Sequence, residues 1–142
     1  MEGWNGVVFY YLYLQSKKLY YYHKLSNPNF KHTHSSDFKY KPLKKEEVLD
    51  IIKKSKSVLD VQHPQQTGLT MRTLEMLGSG RKLITTNATI KKYDFYNPNN
   101  IFVIDRNHPD IDMDFLSIPY EAVDQKIYQK YSIDGWLDYM FR

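Results

Sequence analysis

Apolar positions along this chain follow two rhythms. Residues 57–61 (SVLDV), 82–86 (KLITT) and 101–104 (IFVI) are short, nearly continuous runs bounded by polar or turn-forming residues, a pattern that predicts buried strands. Residues 7–14 (VVFYYLYL) share that β-branched and aromatic character and read as the first strand of the chain. Residues 38–41 (FKYK), closed by Pro42, read as a short alternating strand. Elsewhere the period lengthens to that of a helix. Val48, Ile51, Ile52 and Ser55 recur at helical spacing over residues 44–55, with Glu46 and Glu47 in the first turn, where a carboxylate complements the helix dipole. Residues 15–37 are rich in turn formers after Leu25 and read as a long loop with room for a short helix at its start. Residues 87–92 suit a short helix, and 93–100 an aromatic, turn-rich loop. Residues 120–141 suit two short helices split near Ser132, packed through Ile127, Tyr131, Ile133, Trp136, Leu137 and Met140.

Strands alternating with helices imply right-handed crossovers and a parallel sheet. The predicted fold class is therefore α/β, a Rossmann-like parallel sheet with helices on both faces, with strand 38–41, helix 44–55 and strand 57–61 as one crossover. The second crossover organises the chemistry. Between strands 57–61 and 82–86 lie a loop carrying Gly68, a candidate N-cap at Thr70, and a helix in which Leu74 and Leu77 are expected to turn toward the sheet and which Gly78 and Gly80 end. In such sheets ligands sit beyond the C-terminal strand ends. That rule gathers residues 62–68 and 85–87 at one rim, beside the free amides and positive dipole of a helix N-terminus, which suit a phosphate. Arg72 and Glu75, three residues apart, share a helix face. A cation for a diphosphate and a carboxylate for sugar hydroxyls together match the needs of a nucleotide-sugar. Lys82 is a further cation for the departing diphosphate.

Within the loop His63 is the candidate catalytic residue, as a general base or a donor to a phosphate oxygen, because imidazole titrates near neutrality. Its competing reading is a histidine that shapes the turn before Pro64. Gln65 and Gln66 suit sugar hydroxyls, Thr67 and Thr70 phosphate oxygens. Gly68, Leu69, Thr86 and Asn87 complete the predicted donor-binding set.

The stretch TGLTMRTLEMLGSGRKLI, residues 67–84, resembles the donor-binding segment of GT-B glycosyltransferases, in which a Gly-containing loop leads into a helix bearing Glu, a small-x-Gly turn and an apolar strand. It looks most like the bacterial enzymes of capsular polysaccharide and lipopolysaccharide synthesis. The similarity extends through Asn87 and residues 93–100 to residues 101–105, and residues 38–142 are the best-matched part. The resemblance implies a nucleotide-diphospho-sugar donor, a saccharide or lipid-linked acceptor, Glu75 on ribose or sugar hydroxyls, and Arg72 on the diphosphate. Thr67 stands where many retaining members carry a second Glu, so neither retention nor inversion is implied.

Composition narrows the picture further. At 142 residues the chain is expected to be a single domain, the donor half without the acceptor domain, which a separate subunit would then supply. The absence of cysteine excludes disulfides and Cys-based metal sites, and suits a cytoplasmic protein. No cofactor and no metal are expected. His32 and His34 lack a third ligand, and the alternating Asp110, Asp112 and Asp114 lack the Gly and terminal Glu of a calcium loop. Asp105 suits either a ribose contact at the rim or a turn. A net charge of +4 suits nucleotide diphosphates, or peripheral association with the inner face of a membrane. The interleaved Lys and Tyr of residues 17–24 carry no nucleic-acid signature, and none is expected as a partner. The most apolar run, residues 7–14, is far shorter than the roughly 20 residues that span a bilayer, and lacks the flanks of a signal peptide.

Overall fold

A computed structural model describes residues 6–141. Among the described residues three strands and six α-helices follow in the order α1 (Lys17–Ser26), α2 (Lys45–Lys54), β1 (Ser57–Asp60), α3 (Met71–Ser79), β2 (Lys82–Thr85), β3 (Ile101–Val103), α4 (Met113–Ser117), α5 (Gln125–Lys130) and α6 (Ile133–Met140), with 3-10 turns at Pro28–Phe30, Ser35–Asp37 and Ala88–Lys92. The chain divides into two compact units, Met1–Val48 and Leu49–Arg142. No helix among the described residues is long and apolar enough to cross a membrane.

The first unit corrects two expectations. Residues 7–14 and 38–41 do not form strands. They meet at one parallel bridge, Tyr13 with Lys39, where the Leu14 amide donates to the Lys39 carbonyl (2.9 Å) and the Lys39 amide to that of Leu12 (2.8 Å), and the Tyr11 hydroxyl donates to the Lys41 carbonyl (2.5 Å). β propensity is a fit to a pleated, half-buried surface, and here Val7, Phe9, Tyr10 and Leu12 are exposed to solvent instead. The expected crossover through residues 38–61 therefore has no first strand. The helix at residues 17–26 is longer than expected. Ser16 caps it, its Oγ accepting the Leu19 amide at 3.2 Å. Tyr20 is the buried residue of α1, packed among the rings of Phe30 and Phe38, its hydroxyl donating to the Thr33 carbonyl (2.8 Å).

The second unit is α/β, as expected. The sheet is parallel with order β1-β2-β3, β2 in the centre, and Val58 aligned with Leu83 and Leu83 with Ile101. Side chains alternate across it. Leu83 and Ile101 line one face with Thr73 and Met76 of α3, while Ile84 packs on the other with Ile104 and Phe115 of α4, joined by Phe102, Ile111 and Leu116. All four residues of β2 are buried, which explains why the run reads as continuous rather than alternating. Helix α3 turns Thr73 and Met76 deepest, with Leu74 and Leu77 half-buried at the flanks of that face. It ends at Gly80, whose φ of +62° is the left-handed cap position.

Two polar latches tie down the long connections. Asn100, buried, donates from Nδ2 to the Glu121 carbonyl (2.7 Å) and accepts the Glu121 amide on Oδ1 (2.9 Å). The Glu121 carboxylate accepts Asn97 and Asn99, each at 2.6 Å, and these bonds hold it below the usual carboxylate range. Asp94 accepts Lys130 (2.7 Å) and the Tyr131 hydroxyl (2.6 Å), while the Tyr131 ring meets Phe95 edge-on. The two tail helices form as expected, with Ser132 capping α6. However, Ile133, Trp136, Leu137 and Met140 are exposed rather than packed. Helix α4 falls where the sequence suggested an alternating acidic face, and Asp112 is its N-cap, its Oδ1 accepting the Asp114 amide (2.9 Å).

Lys82 corrects a further expectation. It sits at the N-terminal end of β2, only 4 % exposed, its ammonium donating to the Phe115 carbonyl and lying 4.3 Å from the centre of the Phe115 ring. The expected phosphate site is at the other end of the strand, some 10 Å away at about 3.3 Å per residue. Burial lowers the Lys82 pKa from the ordinary 10.5, with the Glu121 charge opposing. A lysine whose pKa falls on folding costs stability while charged, and that cost disappears as pH rises through the folded value toward 10.5. The stability of the native chain relative to Lys82→Met should therefore rise between neutral pH and pH 10.5, as urea unfolding at both ends of that window will show.

Candidate functional site

The C-terminal ends of β1 and β2 open onto the rim that the sequence pointed to, built from the loop of residues 61–70 and from Thr86 and Asn87. Two hydrogen bonds between these segments fix the loop. Asn87, 2 % exposed, donates from Nδ2 to the Gly68 carbonyl (2.9 Å), and the Gln62 amide donates to Thr86 Oγ1 (3.0 Å). Gln62 Nε2 adds donations to the Gln66 (2.9 Å) and Gly68 (3.1 Å) carbonyls, and the Arg106 guanidinium donates to the Gln62 carbonyl. Gly68 adopts φ +83°, and nothing lies within 4 Å of where a Cβ would stand, so backbone conformation rather than crowding demands glycine there.

Thr70 begins α3 as expected, its Oγ1 accepting the Thr73 amide at 3.2 Å. Helix geometry leaves the amides of Met71 and Arg72 without an intrahelical acceptor. The same Thr70 hydroxyl donates to the Asp60 carboxylate at 2.6 Å. That carboxylate therefore lies against the positive end of the dipole, where an anion is favoured, and offsets part of the attraction for a phosphate. Asp60 was not among the expected site residues. Its position as the last residue of β1, one rim loop before the cap, was the available signal.

Arg72 and Glu75 share a face as expected, and pair with one another: Nη1 lies 2.5 Å from Oε2, with side chains 35 % and 46 % exposed. An exposed pair of this kind is worth about 0.2–1 kcal/mol, so a diphosphate on the guanidinium would displace it at small cost. His63 is exposed at the loop tip. Its Nδ1 accepts the Gln65 amide (3.3 Å), its carbonyl accepts that of Gln66 (2.9 Å), and the turn-shaping role is the one these bonds describe. Gln65, Gln66 and Thr67 are exposed along the same loop and Leu69 is half-buried.

Thr86 and Asn87 face the loop backbone and support it. Asn87 Oδ1 also accepts the amide (3.0 Å) and hydroxyl (2.6 Å) of Thr89, opening the 3-10 turn Ala88–Lys92. Asp105 accepts the Asn107 amide (2.7 Å), the turn reading of that residue. Among the described residues no group of three or more His, Asp or Glu is arranged to hold a metal ion.

Two cavities lie outside this rim. One, about 10 Å³, sits between α3 and the sheet against Met76, Arg81, Leu83 and Tyr120, room for a single water. The other, about 450 Å³, lies on α6 beside Lys130, Trp136 and Tyr139. No protein-family model matches the chain, and no curated protein or solved structure matches it at a significant level.

Proposed function

We propose that this chain is the donor-binding half of a GT-B-type glycosyltransferase, holding a nucleotide-diphospho-sugar for transfer to a saccharide or lipid-linked acceptor in cell-surface polysaccharide synthesis. The observation that supports it is the rim loop itself, held over the C-terminal strand ends by Asn87 and Gln62 and delivering the open amides of α3 beside exposed Arg72 and Glu75. In this reading Arg72 and those amides hold the diphosphate and stabilise it as it departs. Glu75 takes ribose or sugar hydroxyls, and Gln65 and Gln66 contact the sugar. Transfer then requires an acceptor-binding partner to close the cleft.

The Asp60 carboxylate at the helix cap favours a second reading, a module that binds a nucleotide or a partner without catalysing transfer. Calorimetric titration with uridine, guanosine and cytidine diphosphates tests the first reading: one of them should bind, and binding by none removes the donor site. Arg72→Ala and Glu75→Ala should each weaken that binding by about 1–3 kcal/mol through lost charge-assisted hydrogen bonds. If Glu75→Ala instead tightens it, Glu75 only competes for Arg72. Sugar release from the matching donor on addition of an acceptor-domain partner separates the transferase from the silent module.

A further inference from the structure

Charge is unevenly spread along this chain. Residues 6–44 hold seven lysines and one acidic residue, a net +6 against +4 for the whole chain. The acid, Asp37, already accepts the His34 amide (2.6 Å). Of the lysines, Lys24 is enclosed by the carbonyls of Phe30, Lys31 and Thr33 at 3.0, 2.8 and 2.6 Å, whereas Lys17, Lys18, Lys31, Lys39, Lys41 and Lys44 are exposed.

Apolar groups stand out in solvent beside them. On α1, Lys18, Tyr21, Tyr22 and Leu25 follow the i, i+3, i+4, i+7 spacing of one helix face, and Leu25 is 91 % exposed. The run that forms no strand adds Val7 (96 % exposed), Phe9, Tyr10 and Leu12.

We infer that residues 6–44 form a docking surface for an anionic lipid bilayer, with the Tyr, Leu and Val side chains entering the headgroup and upper acyl region and the lysines pairing with lipid phosphates. Tyrosine is at home at headgroup depth, lysine stems lie along apolar surface with the ammonium in water, and stable attachment needs apolar and electrostatic contributions together. Single-stranded nucleic acid is the competing polyanion, since bases stack on exposed rings. The most exposed apolar groups here, Val7 and Leu25, are aliphatic. They offer a base nothing to stack on, whereas an acyl layer rewards their burial.

Flotation of the full chain with vesicles of phosphatidylcholine alone, and with vesicles also carrying phosphatidylglycerol, tests this. The chain should float with the anionic vesicles and be released in molar salt, where screening length falls to about 3 Å. Lys18→Gln and Lys39→Gln should each weaken partitioning about fivefold. Leu25→Ser should weaken it with the salt dependence unchanged, and circular dichroism checks that each variant is folded. The comparison of the two vesicle types needs no variant. Equal partitioning onto both, partitioning onto neither, or an oligouridylate that binds more tightly and strips the chain from the vesicles would overturn the inference.

Discussion

Asn100→Ala is expected to lower the free energy of unfolding by about 2–4 kcal/mol, because it strands both backbone groups of Glu121 at once. The Asn100 amide is the only one of the three in its loop to grip backbone in both senses, at 2.7 and 2.9 Å, and it is 3 % exposed. Asn97 and Asn99 reach the Glu121 carboxylate instead, in solvent, where water replaces them readily. Asn99→Ala should therefore cost far less, and is the cleaner comparison, since Asn97 also accepts the Asn99 amide (2.8 Å). Urea unfolding followed by circular dichroism separates the two, and equal midpoints for both variants would show that the latch does not hold the tail. Acid adds a second check. Glu121 titrates below the ordinary 4.5 when folded, so its contribution is complete above 4.5 and is lost as pH falls through the lower, folded value. Asn97→Ala and Asn99→Ala should flatten that loss.

Leu83→Ala should cost about 2–5 kcal/mol, the range for a fully buried aliphatic truncated in place. Leu83 is 1 % exposed at the centre of the sheet, between Val58 and Ile101 and beneath α3. A void of about 10 Å³ already borders it, so the new space merges with an existing defect that the neighbours have not closed. The upper half of the range is expected, read from the unfolding midpoint. Leu83→Met, which keeps the volume, should fall below about 1.5 kcal/mol, and a comparable loss for both would place the effect outside the packing.

How much of this was legible beforehand follows from where each signal resides. The runs at residues 57–61, 82–86 and 101–104 could be read as the sheet because a short apolar run between turn formers is a local signal, but only β2 is buried throughout: β1 is an edge strand, with Leu59 and, just past its end, Val61 exposed. Thr70 and Gly80 were legible because capping is a local matter of one hydroxyl and one positive φ. Residues 7–14 have the same residue types as those strands, yet a strand also needs an unpaired edge beside it, and propensity carries no information about that. Room for a short helix at the start of residues 15–37 was legible, whereas Ser16, which caps α1, carried a signal that went unused. In the site, Arg72 and Glu75 share a face as spacing requires, whereas their pairing with each other and the Asp60–Thr70 contact depend on three-dimensional placement. Asn87 lies beside the loop as the strand-end rule expects, but its bond to the Gly68 carbonyl is a tertiary contact that spacing cannot encode.

The strands lie side by side in the order in which they occur in the chain. Every pairing therefore joins segments separated by one connection, and each parallel pair must close that connection before its contacts form, which slows assembly. During synthesis from the amino end, β1, α3 and β2 are complete before β3 exists. A nascent chain halted before Ile101 exposes the far edge of β2 and the apolar surface of Ile84, which makes that interval the point at which a chaperone has most to cover.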